Sequence, residues 1–89
     1  MKEIKVEIKN EYGLHARPSS LMANLASQFK SDIKVIKEDS EVNCKSIMNL
    51  LLLAAGKGVI LSIVAAGEDE DKALEALRDL VEIRKFDED

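Results

Sequence analysis

Ile4, Val6 and Ile8 alternate with Lys5, Glu7 and Lys9, the two-residue period of a half-buried strand. Asn10 to Gly13 reads as a loop. From Pro18 the apolar positions become Leu21, Met22, Leu25, Ala26 and Phe29, whose spacings of three and four mark one face of an amphipathic helix. Pro18 suits its first turn, where a missing N–H breaks no helical bond. Ile33 and Val35 open a second strand, Glu38-Asp39-Ser40 is a polar turn, and a short third strand is centred near Val42. Ser46 stands as N-cap before Ile47 to Leu53, and Gly56 and Gly58 close that short helix. Val59 to Ala65 is apolar or β-branched and predicts a central strand ended by Gly67. Glu68 to Asp71 place negative charge on the first turn of a last helix, where the helix dipole favours it. Its stripe is Ala73, Leu74, Leu77, Leu80 and Val81, with Arg84 and Lys85 at its C-terminal end. Asp87-Glu88-Asp89 is expected to be a frayed tail.

The order βαββαβα predicts an α+β fold. The expected architecture is an open-faced two-layer sandwich, a four-stranded, mainly antiparallel sheet with three helices on one face. No repeat or linker interrupts the 89 residues, so one domain over 1–89 is expected. A net charge of −4 and three aromatics, Tyr12, Phe29 and Phe86, argue against a nucleic-acid partner. No run of 18 apolar residues exists and Met1 to Ile4 opens no signal-peptide core, so a cytoplasmic protein without a membrane partner is expected. Cys44 is the only cysteine, which leaves neither an intrachain disulfide nor a Cys-based metal cluster. A structural thiol is the plainer role for it; as a nucleophile it would need the only histidine as its base.

That histidine carries the informative chemistry. In Gly13-Leu14-His15-Ala16-Arg17-Pro18 a glycine-containing loop feeds a helix, so His15 falls at or just before the helix N-terminus. Amide N–H groups there lack helical partners and the dipole adds positive potential, so an anion on the imidazole would be well received. Arg17 adds a guanidinium able to bind phosphate oxygens in bidentate fashion. The same positive surroundings favour an imidazole with one ring nitrogen unprotonated and nucleophilic. On this pattern alone, a lone histidine before a helix is more commonly a solvated loop residue or a cap.

The hexapeptide resembles the phosphohistidine signature of the HPr family letter for letter. Lys45-Ser46-Ile47-Met48 resembles that family's regulatory serine site in its Gram-positive form. Segment spacing, length and element order agree over essentially the whole chain. The resemblance implies a phosphocarrier of the sugar phosphotransferase system, a stoichiometric transfer intermediate without cofactor or metal rather than an enzyme. It implies that His15 Nδ1 accepts a phosphoryl group from enzyme I, itself phosphorylated by phosphoenolpyruvate, and hands it to IIA domains of sugar permeases. Arg17 would stabilise the phosphoryl group, with the backbone N–H groups of Ala16 and Arg17 cradling it. Ser46 would be phosphorylated by an HPr kinase/phosphorylase, weakening carriage and engaging a catabolite-control repressor. The sequence departs from the family at Ser19-Ser20, where Ala-Thr is common, and at Asn49 and Ala54, where glycine is frequent. Asn24 and Ser27 stand where lysines often meet acidic partners.

Leu50 to Leu53 span about 300° of a helix and cannot all face the sheet. With Ile47, Leu50 and Leu53 inward, Met48, Leu51, Leu52 and Ala55 make an outward apolar stripe. The resemblance sets this helix beside His15, so the segment Ile47, Met48, Leu51, Leu52 and Ala55 is the expected docking face of a monomer. Two rivals remain: a regulatory paralogue of the family, acting as an interaction module or nitrogen-system carrier, and a small-molecule-binding α/β domain.

Overall fold

The computed structural model describes residues 1–88. Its strands are β1 (Lys2–Glu7), β2 (Asp32–Lys37), β3 (Ser40–Asn43) and β4 (Ile60–Ala66). Its helices are α1 (Ala16–Ala26), α2 (Ile47–Leu53) and α3 (Glu70–Arg78), in the order βαββαβα. The sheet runs β1-β4-β2-β3 with every neighbouring pair antiparallel, in keeping with the expected open-faced sandwich. Register follows the side-chain period of two: Val6 opposes Leu61 and Ile4 opposes Ile63 across β1 and β4, while Val35 opposes Ile63 on the other side. Val6, Ile33, Val35, Leu61 and Ile63 are buried on the face the helices cover.

On α1 the buried residues are Pro18, Ser19, Met22, Ala23 and Ala26, whereas Leu21 and Leu25, and Phe29 beyond its end, are only partly buried. Hydrophobicity alone misplaced the centre of this face, because Ser19 and Ala23 are the small residues that let α1 pack closely. Ser19 satisfies its buried hydroxyl by donating to the Leu14 carbonyl at 3.1 Å. The stripe Ala73, Leu74, Leu77, Leu80 and Val81 is buried throughout. It crosses from α3 into a wider π-helical extension, Asp79–Ile83.

Beyond that extension the expectation of a frayed tail is corrected for Asp87 and Glu88; Asp89 lies outside the described residues. Lys85–Asp87 forms a 3-10 turn with Phe86 fully buried, and Arg84 holds Asp87 through two hydrogen bonds of 3.1 and 2.6 Å. Burying an aromatic ring of this size anchors a segment that charge alone would leave in water. Cys44 is buried, and burial pushes its thiol up to about 12, which keeps it protonated and inert as a nucleophile. Lys45 donates to the Phe29 carbonyl at 2.8 Å and ties off the chain just beyond α1.

Candidate functional site

Gly13 adopts φ +66°, and a Cβ there would lie 2.3 Å from the Ala55 carbonyl oxygen. Only glycine fits this turn and this approach. Leu14 is buried and donates its N–H to the same Ala55 oxygen at 2.9 Å. The chain then emerges at His15, the extended N-cap of α1, whose carbonyl accepts the Ser19 N–H at 3.0 Å. The His15 side chain makes no cap bond and is exposed. Its ring therefore stands free of the helix beside the first-turn amides of Ala16 and Arg17, which have no preceding turn to donate into. The edge of Tyr12 meets it at 6.0 Å between centroids.

The surroundings of His15 are not only positive, a correction to the sequence reading. Its Nε2 lies 3.0 Å from Glu88 Oε2, and Asn10 Nδ2 donates to that oxygen at 2.8 Å. The bond with His15, then that from Asn10, holds the Glu88 carboxyl below its usual range. Arg17 Nη1 donates to the Phe86 carbonyl at 2.9 Å, so its guanidinium rests on the same C-terminal turn. The structure thus gathers His15, Ala16, Arg17 and three residues that sequence reasoning missed: Asn10, Phe86 and Glu88. Phe86 was the available signal, since an aromatic beyond the last helical stripe must bury somewhere.

Ser46 is the N-cap of α2 as expected, its hydroxyl accepting the Asn49 N–H at 3.2 Å. Asn49 Oδ1 in turn accepts the Asn43 N–H at 3.3 Å, giving this departure from glycine a structural use. On α2, Met48 (69% exposed), Leu52 (79%), Ile47 (41%) and Leu51 (37%) face outward. Two expectations fail here. Ile47 does not point inward, because only Leu50 and Leu53 of this helix reach the core. Ala55 is buried and leaves the stripe, because Ala54 takes a left-handed conformation (φ 52°, ψ 42°) that ends α2 and turns the next residue in. Among the described residues no group of acidic, histidine or cysteine side chains could hold a metal ion. Also among them, no helix is long and apolar enough to cross a membrane.

A family model described as "PTS HPr component phosphorylation site" matches residues 2–82. Phosphocarrier protein HPr of Neisseria meningitidis is 51% identical over 76 residues, covering 85% of each chain. HPr-like protein Crh of Bacillus subtilis is 44% identical over 77 residues, covering 86% of this chain and 91% of its own. The crystal structure of an HPr from Thermoanaerobacter tengcongensis superposes with a TM-score of 0.95 at 47% identity, covering 100% of this chain and 99% of that one. Sequence, topology and the histidine-bearing loop all lead to one assignment: the chain belongs to the HPr family of phosphocarriers, transfer components of the phosphotransferase system rather than enzymes.

Proposed function

We propose that His15 accepts a phosphoryl group from phosphorylated enzyme I and delivers it to IIA domains of sugar permeases in the cytoplasm. The observation that carries this reading is the placement of an exposed imidazole at the start of α1, where the first-turn amides have no helical partner. Ala16 and Arg17 N–H groups cradle the phosphoryl oxygens, and Arg17 adds its guanidinium. Partners dock on Ile47, Met48, Leu51 and Leu52, with the protein acting as a monomer of one domain. Ser46 is the regulatory site, phosphorylated by an HPr kinase/phosphorylase, and the modified form engages a catabolite-control repressor. The hydrogen bond from Leu14 to Ala55 joins the docking helix to the loop that carries His15, which supports reading them as one functional surface.

The deciding experiment is incubation with phosphoenolpyruvate and enzyme I, followed by intact-mass measurement. One acid-labile, alkali-stable phosphate is expected on the parent and none on His15→Ala. Undiminished labelling of His15→Ala overturns the assignment.

A further inference from the structure

The C-terminal turn reaches His15 from outside the stretch that matches the family model, residues 2–82. Lys85, Phe86 and Asp87 have φ of +51°, +57° and +58°. Three consecutive non-glycine residues in the left-handed region are disfavoured unless the surroundings enforce them. Here the buried Phe86 ring, the Arg84–Asp87 pair and Arg17 on the Phe86 carbonyl do so. The turn delivers Glu88 Oε2 to 3.0 Å from His15 Nε2. Asn10 Nδ2 fixes that oxygen at 2.8 Å and also donates to the Gly13 carbonyl at 2.9 Å, so one amide registers both the carboxylate and the loop.

We propose that Glu88 is a positioning residue for phosphoryl transfer, its carboxylate keeping the proton on His15 Nε2 so that Nδ1 holds the reactive lone pair. The proposal rests on His15 being the acceptor. An ionised carboxylate can only accept, so at 3.0 Å the imidazole nitrogen must donate. The contacts that keep Glu88 acidic keep it ionised near neutrality. During acceptance the Nδ1 lone pair forms the N–P bond while the donor's bond to phosphorus breaks, and that bond's electron pair leaves with the donor. Nε2 retains its proton throughout, and the positive charge the ring acquires faces Glu88. On delivery the N–P electron pair returns to Nδ1, and the ring departs as neutral imidazole rather than as an anion. A carboxylate that holds a histidine tautomer and stabilises its cation serves nucleophilic histidines in the same way in hydrolase triads. Among the described residues, Tyr12 of the loop meets the ring edge-to-face, while Arg17 of α1 is turned to the Phe86 carbonyl and Asp87 to Arg84.

The test uses the full chain as parent, Glu88→Ala and Glu88→Gln, each phosphorylated with phosphoenolpyruvate and a trace of enzyme I that is then removed. Loss of phosphate is followed by intact mass from about pH 5 to about pH 9, and 15N spectra report protonation of the His15 ring. In Glu88→Ala the phosphorylated ring is expected to lose its Nε2 proton about one pH unit lower, with the hydrolysis profile moving the same way. Glu88→Gln, which keeps the shape and an acceptor without the charge, should fall between. The maximal transfer rate should drop about tenfold in Glu88→Ala, with the half-saturating enzyme I concentration unchanged. Superimposable titration and hydrolysis profiles in parent and Glu88→Gln, with His15 phosphorylated in both, overturn the proposal even where Glu88→Ala folds poorly. Absence of phosphate on His15 of the parent overturns the acceptor assignment instead.

Discussion

The carbonyl oxygen of Ala55 receives the Leu14 N–H at 2.9 Å, and this bond ties the exit of α2 to the loop leading to His15. Gly13 is the residue that permits the approach, since any Cβ would fall 2.3 Å from that oxygen. Gly13→Ala must shift backbone on one side and hold alanine at positive φ on the other. The expected loss is about 2 kcal/mol or more of stability, together with slower phosphorylation of His15. Chemical denaturation and labelling by enzyme I check both; a variant that melts and transfers like the parent shows the loop to be pliable.

Ala54 poses the opposite case. It sits in the left-handed region with its side chain exposed. Glycine removes the steric cost of that conformation, about 1–2 kcal/mol, but adds freedom to the unfolded chain of about 0.4–1 kcal/mol. The relief is the larger effect, so Ala54→Gly should raise stability by up to about 1 kcal/mol, a few degrees in melting temperature. A lower melting temperature would place the favourable contacts of the Ala54 methyl above its strain.

Much of this was legible beforehand for a physical reason. Strand alternation and the α3 stripe are repetitive, so Val6, Val35, Ile63, Leu77 and Leu80 announce their burial locally. The His15 loop was legible because a glycine turn, a histidine and a proline sit within six residues. Glu88 and Asn10 were not, since their meeting spans 78 positions and depends on where Phe86 buries its ring. Ala55 was misread because a helical projection continues past Leu53, whereas the chain leaves the helix at Ala54.

Asp69 shows a carboxylate whose use differs from the helix-dipole role read from Glu68–Asp71. Its oxygens accept from the Lys30 N–H, the Ser31 N–H and the Ser31 hydroxyl, stitching the start of α3 to the turn before β2. The Ser31 hydroxyl, followed by the Lys30 amide, lowers its pKa from the ordinary 3.8 to about 2. The folded value is the lower one, so this contribution is complete above the unfolded pKa of about 4 and disappears as pH falls through about 2. Asp69→Asn should therefore be less stable than the parent at pH 7, with the gap closing as the pH approaches about 2. Melts across that interval check it; a gap independent of pH means the amide fails through geometry alone.

Met48 and Leu52 leave most of their surface in water, so truncating them removes little buried area. Met48→Ala and Leu52→Ala should change the melting temperature by no more than a degree or two. The same changes should weaken enzyme I binding by about tenfold each if these side chains enter a partner's pocket. Leu50→Ala, fully buried on the opposite face, is the control and should lose about 2–5 kcal/mol of stability. Unchanged affinity in Met48→Ala and Leu52→Ala would move the docking surface off α2.

At Ser46 two effects of one added charge compete. A phosphate carries about −1.5 to −2 charges, and at the N-terminus of α2 the dipole and free N–H groups favour it. That gain is typically below about 1 kcal/mol. Ser46→Asp retains an oxygen able to take the Asn49 N–H that the hydroxyl now accepts at 3.2 Å, so the helix should stay folded with stability kept or slightly raised. The same charge lies next in sequence to exposed Ile47 and Met48, and a partner closing over them must strip its water. Desolvating an unpaired charge costs several kcal/mol, more than the dipole returns. Ser46→Asp should therefore lower the rate of His15 phosphorylation at least several-fold, through weaker enzyme I binding rather than a lower maximal rate. Transfer rates measured against protein concentration, alongside thermal melts, separate the terms. A variant that melts well below the parent is inhibited by local unfolding, and one that transfers at the parent rate shows Ser46 to be a helix cap alone.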